Sequence, residues 1–527
     1  MERRSFIGAG AAVLAAGAAT ACDAGSGADA RTATSTASGT GDAKASRNAR
    51  SSAAVHASAP AADWRALAKD LDGPLVRPGD RNWATARQLY NTKFDSLKPT
   101  AVAYVAHTDD IRTTLAYARA HRIPVAIRNG GHSYAGYSSG NGRLILDVSK
   151  LATVRTSGKE AVVGAGAKLI DVYRGLSKHG VTIPAGSCPT VGVSGLTLGG
   201  GHGVASRAYG LTCDNLTRAT LVTADGKQIT ASKDENKDLF WALRGAGNGN
   251  FGVVTELHFR THPAPEGVSA YMSWPYSRAA AVVKAWQQWG PDQPDEIWSS
   301  LHLDNAAGGT PTVSVAAFSL GSYSDLQNAV DRLADRVGAP ARSVSLKRRA
   351  YQAAMDVYAG CSDYTDAMCH LPGETPGRTK AGALGRETYS ARSDFFDRSL
   401  SAAGIRALLD RIESVRGGSG AFTLTALGGA INRVDPAATA FVHRRSRMLA
   451  QYIGAWKPGA SGRTVESWLN STHTTMSRYA TGRAYQNYTD TTLRDWRKAY
   501  YGSAGSRLAE VKKQYDPNRF FSFGQSL

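Results

Sequence analysis

Two stretches concentrate the residue types that could hold a large planar cofactor. The first, RNGGHSYAGY at residues 128–137, places an arginine, two glycines and His132 at the end of the apolar run 123–127. The second, PAGSCPTVGVSGLTLGGGHG at residues 184–203, carries a lone cysteine, Cys188, and then a series of glycines. A strand that ends in a glycine-rich turn presents clustered backbone N–H groups, and such a nest suits a pyrophosphate. Glycine also lets the backbone approach a ligand closely. A histidine and a cysteine on the rims of two such loops could both reach one flat ring system. Each residue alone has an ordinary reading, a hydrogen-bonded loop histidine and a buried thiol.

The hydrophobic pattern supplies the elements that must position these loops. Residues 101–106 read as a strand, and 109–121 as a helix with Ile111, Leu115 and Ala118 on one face. Thr108 is the expected cap, with two aspartates in the first turn. A second strand delivers residues 128–132, and strands follow at 144–148 and 161–163. A helix buries Leu169, Val172, Tyr173 and Leu176 and stops at Gly180. GNGNFG, residues 247–252, satisfies G-x-G-x-x-G, but that motif works between a strand and a following helix. Here the helix-like DLFWALRG precedes and the strand FGVVTELHF follows, so a dinucleotide site of that kind is rejected. From Gly267 to about Gly482 long strands alternate with amphipathic helices, and 421–434 and 443–456 read as neighbouring strands. The fold class is α+β: a cofactor domain at 61–265 and an antiparallel-sheet substrate domain at 266–482. One face of that sheet carries helices, the other would roof the cofactor, and 483–527 returns to the first domain.

In this order and company, GGHS, CPTVG, LTLGGGHG and the closing YDPNRFF (515–521) resemble the berberine bridge enzyme-like FAD-linked oxidases. These belong to the vanillyl-alcohol oxidase/p-cresol methylhydroxylase superfamily, and the chain resembles a secreted bacterial member. The resemblance runs from about Trp83 to the C-terminus and implies FAD attached twice, through His132 to the 8α-methyl and through Cys188 to carbon 6. It also implies that Arg128, Asn129, Gly130, Gly131 and Ser133 cradle the pyrophosphate. Val193, Ser194, Gly199, Gly200, Gly203 and Val253 would line the ring and the adenosine. His202 matches a family histidine with a structural role. AYQNY, residues 484–488, resembles the family's Y-x-N motif, which makes Tyr485 the catalytic base, with Asn487 holding it or the flavin. Tyr134 matches another tyrosine of the substrate pocket. A phenol titrates near pH 10, so such a base needs a cationic neighbour or the flavin's field. The ordinary reading of Tyr485 is a packing tyrosine. Plant alkaloid members use a glutamate on the strand aligned with GGAINRV; Asn432 and Arg433 stand here, which favours the tyrosine-based bacterial and carbohydrate-oxidising members. Val191 matches a gate where oxidases carry valine and dehydrogenases leucine, which implies reduction of O2 to H2O2.

The 527 residues suit two domains. The 62 basic and 43 acidic residues give a formal charge of +19, but the basic residues are scattered, without an aromatic-basic stripe. Nucleic acid is therefore not expected, and attraction to anionic surfaces is the milder reading. No metal site is expected. Residues 1–22 resemble a twin-arginine signal, opening on Arg3-Arg4. Ala-Thr-Ala before Cys22 also resembles a lipoprotein cleavage site, the alternative being ordinary cleavage nearby. Residues 23–60 read as a disordered tether. The chain is thus expected outside the cell or on the outer face of the membrane, held there only by a lipid on Cys22. The twin-arginine route exports folded protein, so the flavin would be installed beforehand. In an oxidising compartment Cys361 and Cys369 would pair across CSDYTDAMC, while Cys213 reads as buried.

The expected reaction removes a hydride from an alcohol or activated C–H of a small molecule, a sugar or oligosaccharide or else a secondary metabolite. The rival readings are a dehydrogenase with a non-oxygen acceptor and a non-catalytic ligand-binding lipoprotein. Trp274, Trp286, Trp289, Trp298, Tyr351, Tyr358 and Tyr364 could stack on sugars or polycyclic rings, though most read as core. Oligomeric state is not readable from the sequence.

Overall fold

The computed structural model describes residues 62–527. The expected signal, the Cys22 expected to carry a lipid and the expected tether therefore lie outside the described residues. The first domain is built on two sheets. In the smaller, Leu75–Val76, Ala101–Tyr104, Leu144–Asp147 and Val125–Arg128 lie side by side in that order, the last three parallel. The helix Thr108–Ala120 makes the crossover between the strands Ala101–Tyr104 and Val125–Arg128, and it buries Ile111, Leu115 and Ala118 as its 3.6-residue pattern requires. Full burial of such aliphatic side chains contributes about 1.5–3 kcal/mol each. The second sheet is antiparallel, in the order Val154–Ser157, Glu160–Gly164, Val253–Arg260, Leu216–Val222, Gln228–Ser232.

One cap differs from the sequence reading. Thr108 is the first helical residue rather than the cap, and His107 before it makes no side-chain cap bond. Asp110 does the work instead: its buried carboxylate accepts from the backbone N–H groups of Ala106, Asp72 and Gly73 at 2.7, 2.9 and 3.0 Å. A carboxylate in the first turn also meets the positive end of the helix dipole.

The second domain is one seven-stranded sheet, antiparallel throughout, in the order Ser343–Arg349, Gly267–Trp274, Thr312–Ser319, Ile297–Ala306, Ser419–Ala426, Met448–Ala455, Tyr389–Phe396. Helices Ala279–Trp289, Tyr323–Val337, Ala402–Glu413 and Arg463–Met476 cover one face. Strand alternation sorts the residues: Leu301 and Leu303 join the helix-side core, while Trp298, Ser300 and His302 face the first domain. Trp274, Trp286 and Trp289 are helix-side core, so they cannot stack on a ligand.

The expected strand 421–434 is a second correction. It ends at Ala426, turns through Gly428 and Gly429 at φ 102° and 56°, and continues as the short helix Ala430–Arg433. Only glycine adopts such consecutive left-handed positions at little cost. Asn432 donates to Ser446 O, and Arg433 pairs with Asp295 away from the inner face. The strand residues that do face inward are Thr423 and Thr425. The partner strand likewise starts at Met448, later than residue 443.

Buried polar groups stitch the domains together. Arg207 sends its guanidinium to the carbonyls of Ile297, Pro291, Leu427 and Gln293. Arg444 grips Asp214 with two bonds, 2.8 and 2.6 Å, both side chains buried. Removing one partner of such a pair costs about 3–5 kcal/mol. The C-terminal segment returns to the first domain through Lys512, whose Nζ donates to Asn250 O, Phe521 O and Asp516 Oδ2. Cys361 and Cys369 form a disulfide, and Cys213 is buried.

Candidate active site

A deep cleft runs between the two glycine-rich loops and the inner face of the seven-stranded sheet. Its floor is backbone. Residues 130–134 leave the sheet just after Arg128, and none of their five N–H groups finds an acceptor among the described residues. Gly130 explains how the loops interlock: a Cβ there would lie 2.4 Å from Thr190 O and 2.5 Å from Gly192 N. His202 and Asn248 also line the cleft, and His202 Nδ1 and Asn248 Oδ1 are buried without a partner among the described residues. Open N–H groups and orphaned polar atoms along one long cleft fit an elongated ligand carrying phosphates and a polar ring edge.

His132 and Cys188 both line this cleft. His132 stacks on Tyr90 with ring centroids 4.0 Å apart, and its Nε2 lies 2.8 Å from Thr190 Oγ1. Burial, reinforced by the charge of Lys168, pulls its pKa down to about 3, so the imidazole is neutral and nucleophilic. Cys188 lies in the loop that interlocks with the His132 loop, two residues before Thr190, whose hydroxyl meets His132.

Other expected contacts divide. Asn129, Gly130, Gly131, Ser133, Val191, Ser194, Gly203 and Asn487 line the cleft. Arg128 does not: its side chain is buried in a pair with Asp147 and donates to Tyr104 Oη, away from the cleft. Asn129 commits its side chain to Ala167 O, Ser194 Oγ and Lys168 Nζ, so it ties the two loops rather than cradling phosphate. Val193 and Val253 are core residues behind the floor. Gly199 and Gly200 back the Asn487 and Tyr485 side chains. Lys168 was not foreseen: a buried lysine with its pKa lowered to about 8, chiefly by burial.

The segment AYQNY brings two tyrosines to the cleft. Residues Gln486–Tyr488 form a 3₁₀ turn, whose three-residue period sets positions i and i+3 beside each other. The rings of Tyr485 and Tyr488 are accordingly 4.9 Å apart, edge to face. Tyr485 Oη accepts from Gly201 N–H and from Asn487 Nδ2, each at 2.8 Å. With both lone pairs engaged it can offer only its own hydrogen. Burial raises its pKa, the two donors working against that. Tyr488 Oη instead lies 2.9 Å from His202 Nε2, and Tyr488 stacks on Tyr134 with centroids 5.2 Å apart. Tyr134 Oη accepts from Gln451 Nε2 at 2.8 Å. Burial raises both phenols. Tyr488 thus has the freer oxygen, a difference written in the three-residue spacing of the motif but not read from it.

The roof is made of neutral hydrogen-bonding side chains from three separate strands. Ser300 Oγ and His302 Nε2 are 2.7 Å apart, and Thr423, Thr425 and Gln451 lie alongside, with Trp298, Tyr358 and Tyr389 as apolar walls. His302 is held near a pKa of about 4 by burial, so it too is neutral.

The FAD binding domain family matches residues 99–232, and the berberine and berberine-like family matches 484–527. The chain is 31% identical over 465 residues to the FAD-linked oxidoreductase YgaK of Bacillus subtilis, covering 87% of this chain and 97% of that one. It is 28% identical over 479 residues to a chitooligosaccharide oxidase of Gibberella zeae, covering 86% and 92%. Among solved structures, BBE-like 1 of Physcomitrella patens superposes with a TM-score of 0.79 at 31% identity, covering 88% of this chain and 98% of that one.

Proposed function

The chain belongs to the berberine bridge enzyme-like FAD-linked oxidoreductases, and we propose that within this family it is an oxidase of neutral, hydroxyl-rich small molecules. The substrate would be a sugar or oligosaccharide, or a glycosylated secondary metabolite, oxidised at an alcohol carbon or activated C–H, with O2 reduced to H2O2. The observation that carries this reading is the Tyr488–His202 pair in the same cleft as His132 and Cys188, beneath a roof of uncharged hydrogen-bonding groups. A related chitooligosaccharide oxidase supports the sugar class.

FAD supplies the hydride acceptor. The protein's share is to hold, orient and move a proton. The N–H groups of residues 130–134 receive the pyrophosphate, and the neutral imidazole of His132 is suited to a covalent bond with the ring. Cys188, in the same cleft, would supply a second bond. Ser300, His302, Thr423, Thr425 and Gln451 bind the substrate's hydroxyls, and the aromatic walls keep water out. Tyr488 takes the hydroxyl proton, and Tyr485, a fixed donor, steadies the oxygen as charge develops. Val191 lines the cleft, as an oxygen gate would. The Cys361–Cys369 disulfide agrees with an exported enzyme, delivered by the twin-arginine signal and either secreted or anchored through Cys22.

The test is the intact mass of denatured wild type, His132→Ala and Cys188→Ala, followed by a peroxide screen over oligosaccharides and glycosides. FAD mass kept by the wild type and by each single variant, and lost from the double variant, supports two tethers. Loss from His132→Ala alone leaves one tether, and release from the wild type overturns covalent attachment. Rapid reduction of an artificial acceptor without peroxide would make the enzyme a dehydrogenase.

A further inference from the structure

His202 is the cleft residue left without a role by cofactor binding and by the expected tyrosine base. Its imidazole sits between the floor and the AYQNY segment. Nε2 lies 2.9 Å from Tyr488 Oη, the ring centroid is 5.6 Å from that of Tyr485, and Nδ1 is buried with no partner among the described residues. We propose that His202 is the residue that makes Tyr488 a base, a positioning residue that receives the phenol's proton as the phenol takes one from the substrate. This rests on the oxidase reading above and adds to it a proton acceptor.

Three observations support the assignment. Tyr485 cannot serve as acceptor while Gly201 N–H and Asn487 Nδ2 fill its oxygen. Tyr488 has His202 as its hydrogen-bond partner, so donating there keeps its lone pairs for the substrate hydroxyl. Nδ1 has no partner among the described residues, and as an N–H it would donate to a carbonyl or hydroxyl of whatever the cleft holds, which leaves Nε2 as the acceptor. Burial holds the imidazole's pKa near 4, so it enters the step unprotonated. The titratable groups packed around it are Tyr485 and Tyr488 from its own side, with Tyr134, His132 and Cys188 in the rest of the cleft wall.

The step balances. The substrate C–H bond breaks with its electron pair, and the hydride goes to the flavin. The substrate O–H proton goes to Tyr488 Oη, and the Tyr488 proton goes to His202 Nε2. The substrate leaves as a carbonyl. O2 then takes both electrons, the hydride's proton and the one stored on His202, and leaves as H2O2.

The test uses FAD-loaded wild type, His202→Phe, His202→Gln and Tyr488→Phe. In histidine-¹⁵N-labelled protein, the His202 signal, assigned by its loss in His202→Phe, should report a neutral ring protonated on Nδ1, and Tyr488→Phe should shift Nε2. A ring protonated on Nε2 overturns the proposal without reference to any substrate. With cellobiose as probe, anaerobic flavin bleaching should slow about 100-fold or more in His202→Phe and become steeply pH-dependent. His202→Gln, which can still accept the Tyr488 hydrogen bond, should keep KM but not the rate. Bleaching unchanged in His202→Phe also overturns the proposal. Wild type that ignores cellobiose counts against the sugar reading alone, and the nitrogen spectra then decide.

Discussion

The cleft has a floor made of main chain and a roof made of side chains, and they answer differently to substitution. On the proposed reading the floor would recognise its ligand through N–H groups of residues 130–134, whose approach depends on Gly130, where a Cβ would lie 2.4 Å from Thr190 O. At Gly130 no side chain can be added, because its absence is what lets the two loops interlock. The roof presents Ser300, His302, Thr423, Thr425 and Gln451 from separate strands of a stiff sheet. Any of these can change without moving the backbone. A floor fixed in this way and a roof free in this way let one fold keep its cofactor while changing its substrate.

Gly130→Ala attacks the floor and should have the largest effect. The clash is with backbone, which cannot rotate away, so the two loops must part. We expect a loss of about 1–3 kcal/mol or more in stability together with loss of bound flavin, read from thermal unfolding and the visible absorbance of purified protein. Full flavin retention would break the contrast between floor and roof.

Next come the tyrosines between them. Tyr488→Phe should lower the rate of anaerobic flavin reduction about 100- to 10,000-fold with flavin content intact. Tyr485→Phe strands two donors, so it should cost about 1–3 kcal/mol of stability and less rate than Tyr488→Phe. The reverse order of rates would return the base to Tyr485.

The roof should yield smaller effects. Gln451→Leu removes the donor to Tyr134 Oη and a polar contact in the cleft. One lost hydrogen bond of about 0.5–1.5 kcal/mol predicts a KM rise of roughly 2- to 12-fold, with flavin content unchanged. A loss of flavin instead would show that roof and floor are not independent.

The smallest effect concerns the disulfide-bearing segment beside the cleft. His370 donates toward Asp171 of the first domain, and that hydrogen bond holds its pKa above the ordinary value. A raised folded pKa stabilises fully below the unfolded value of about 6.5 and loses that contribution as pH rises through the folded one. The melting-temperature gap between wild type and His370→Gln should therefore be widest near about pH 5.5 and close in alkaline solution. An equal gap at both pH values would mean that packing, not charge, pins the segment.

Some of this was legible without coordinates because it is local. The helix Thr108–Ala120 and the strand Ala101–Tyr104 followed from side-chain pattern, and the floor loops from runs of glycine beside His132 and Cys188. Arg128 misled for a local reason too: its place before the loop suggested phosphate, but Asp147, nineteen residues on in the parallel partner strand, claims it. GGAINRV was read as the continuation of the strand 421–434, and two glycines at positive φ, Gly428 and Gly429, turn the chain out of the strand instead.

By itself, then, the sequence determined the cofactor side of this protein: backbone recognition requires glycine at fixed spacing, and a fixed spacing is visible in one dimension. Only the tertiary structure decided the rest. Which tyrosine keeps a free oxygen depends on Gly201 and Asn487 filling the other. Which histidine meets it depends on a loop 286 residues away. Which residues roof the cleft depends on strand pairing across the sheet. Those choices rest on contacts between groups far apart in the chain, and such contacts leave no periodicity or motif behind.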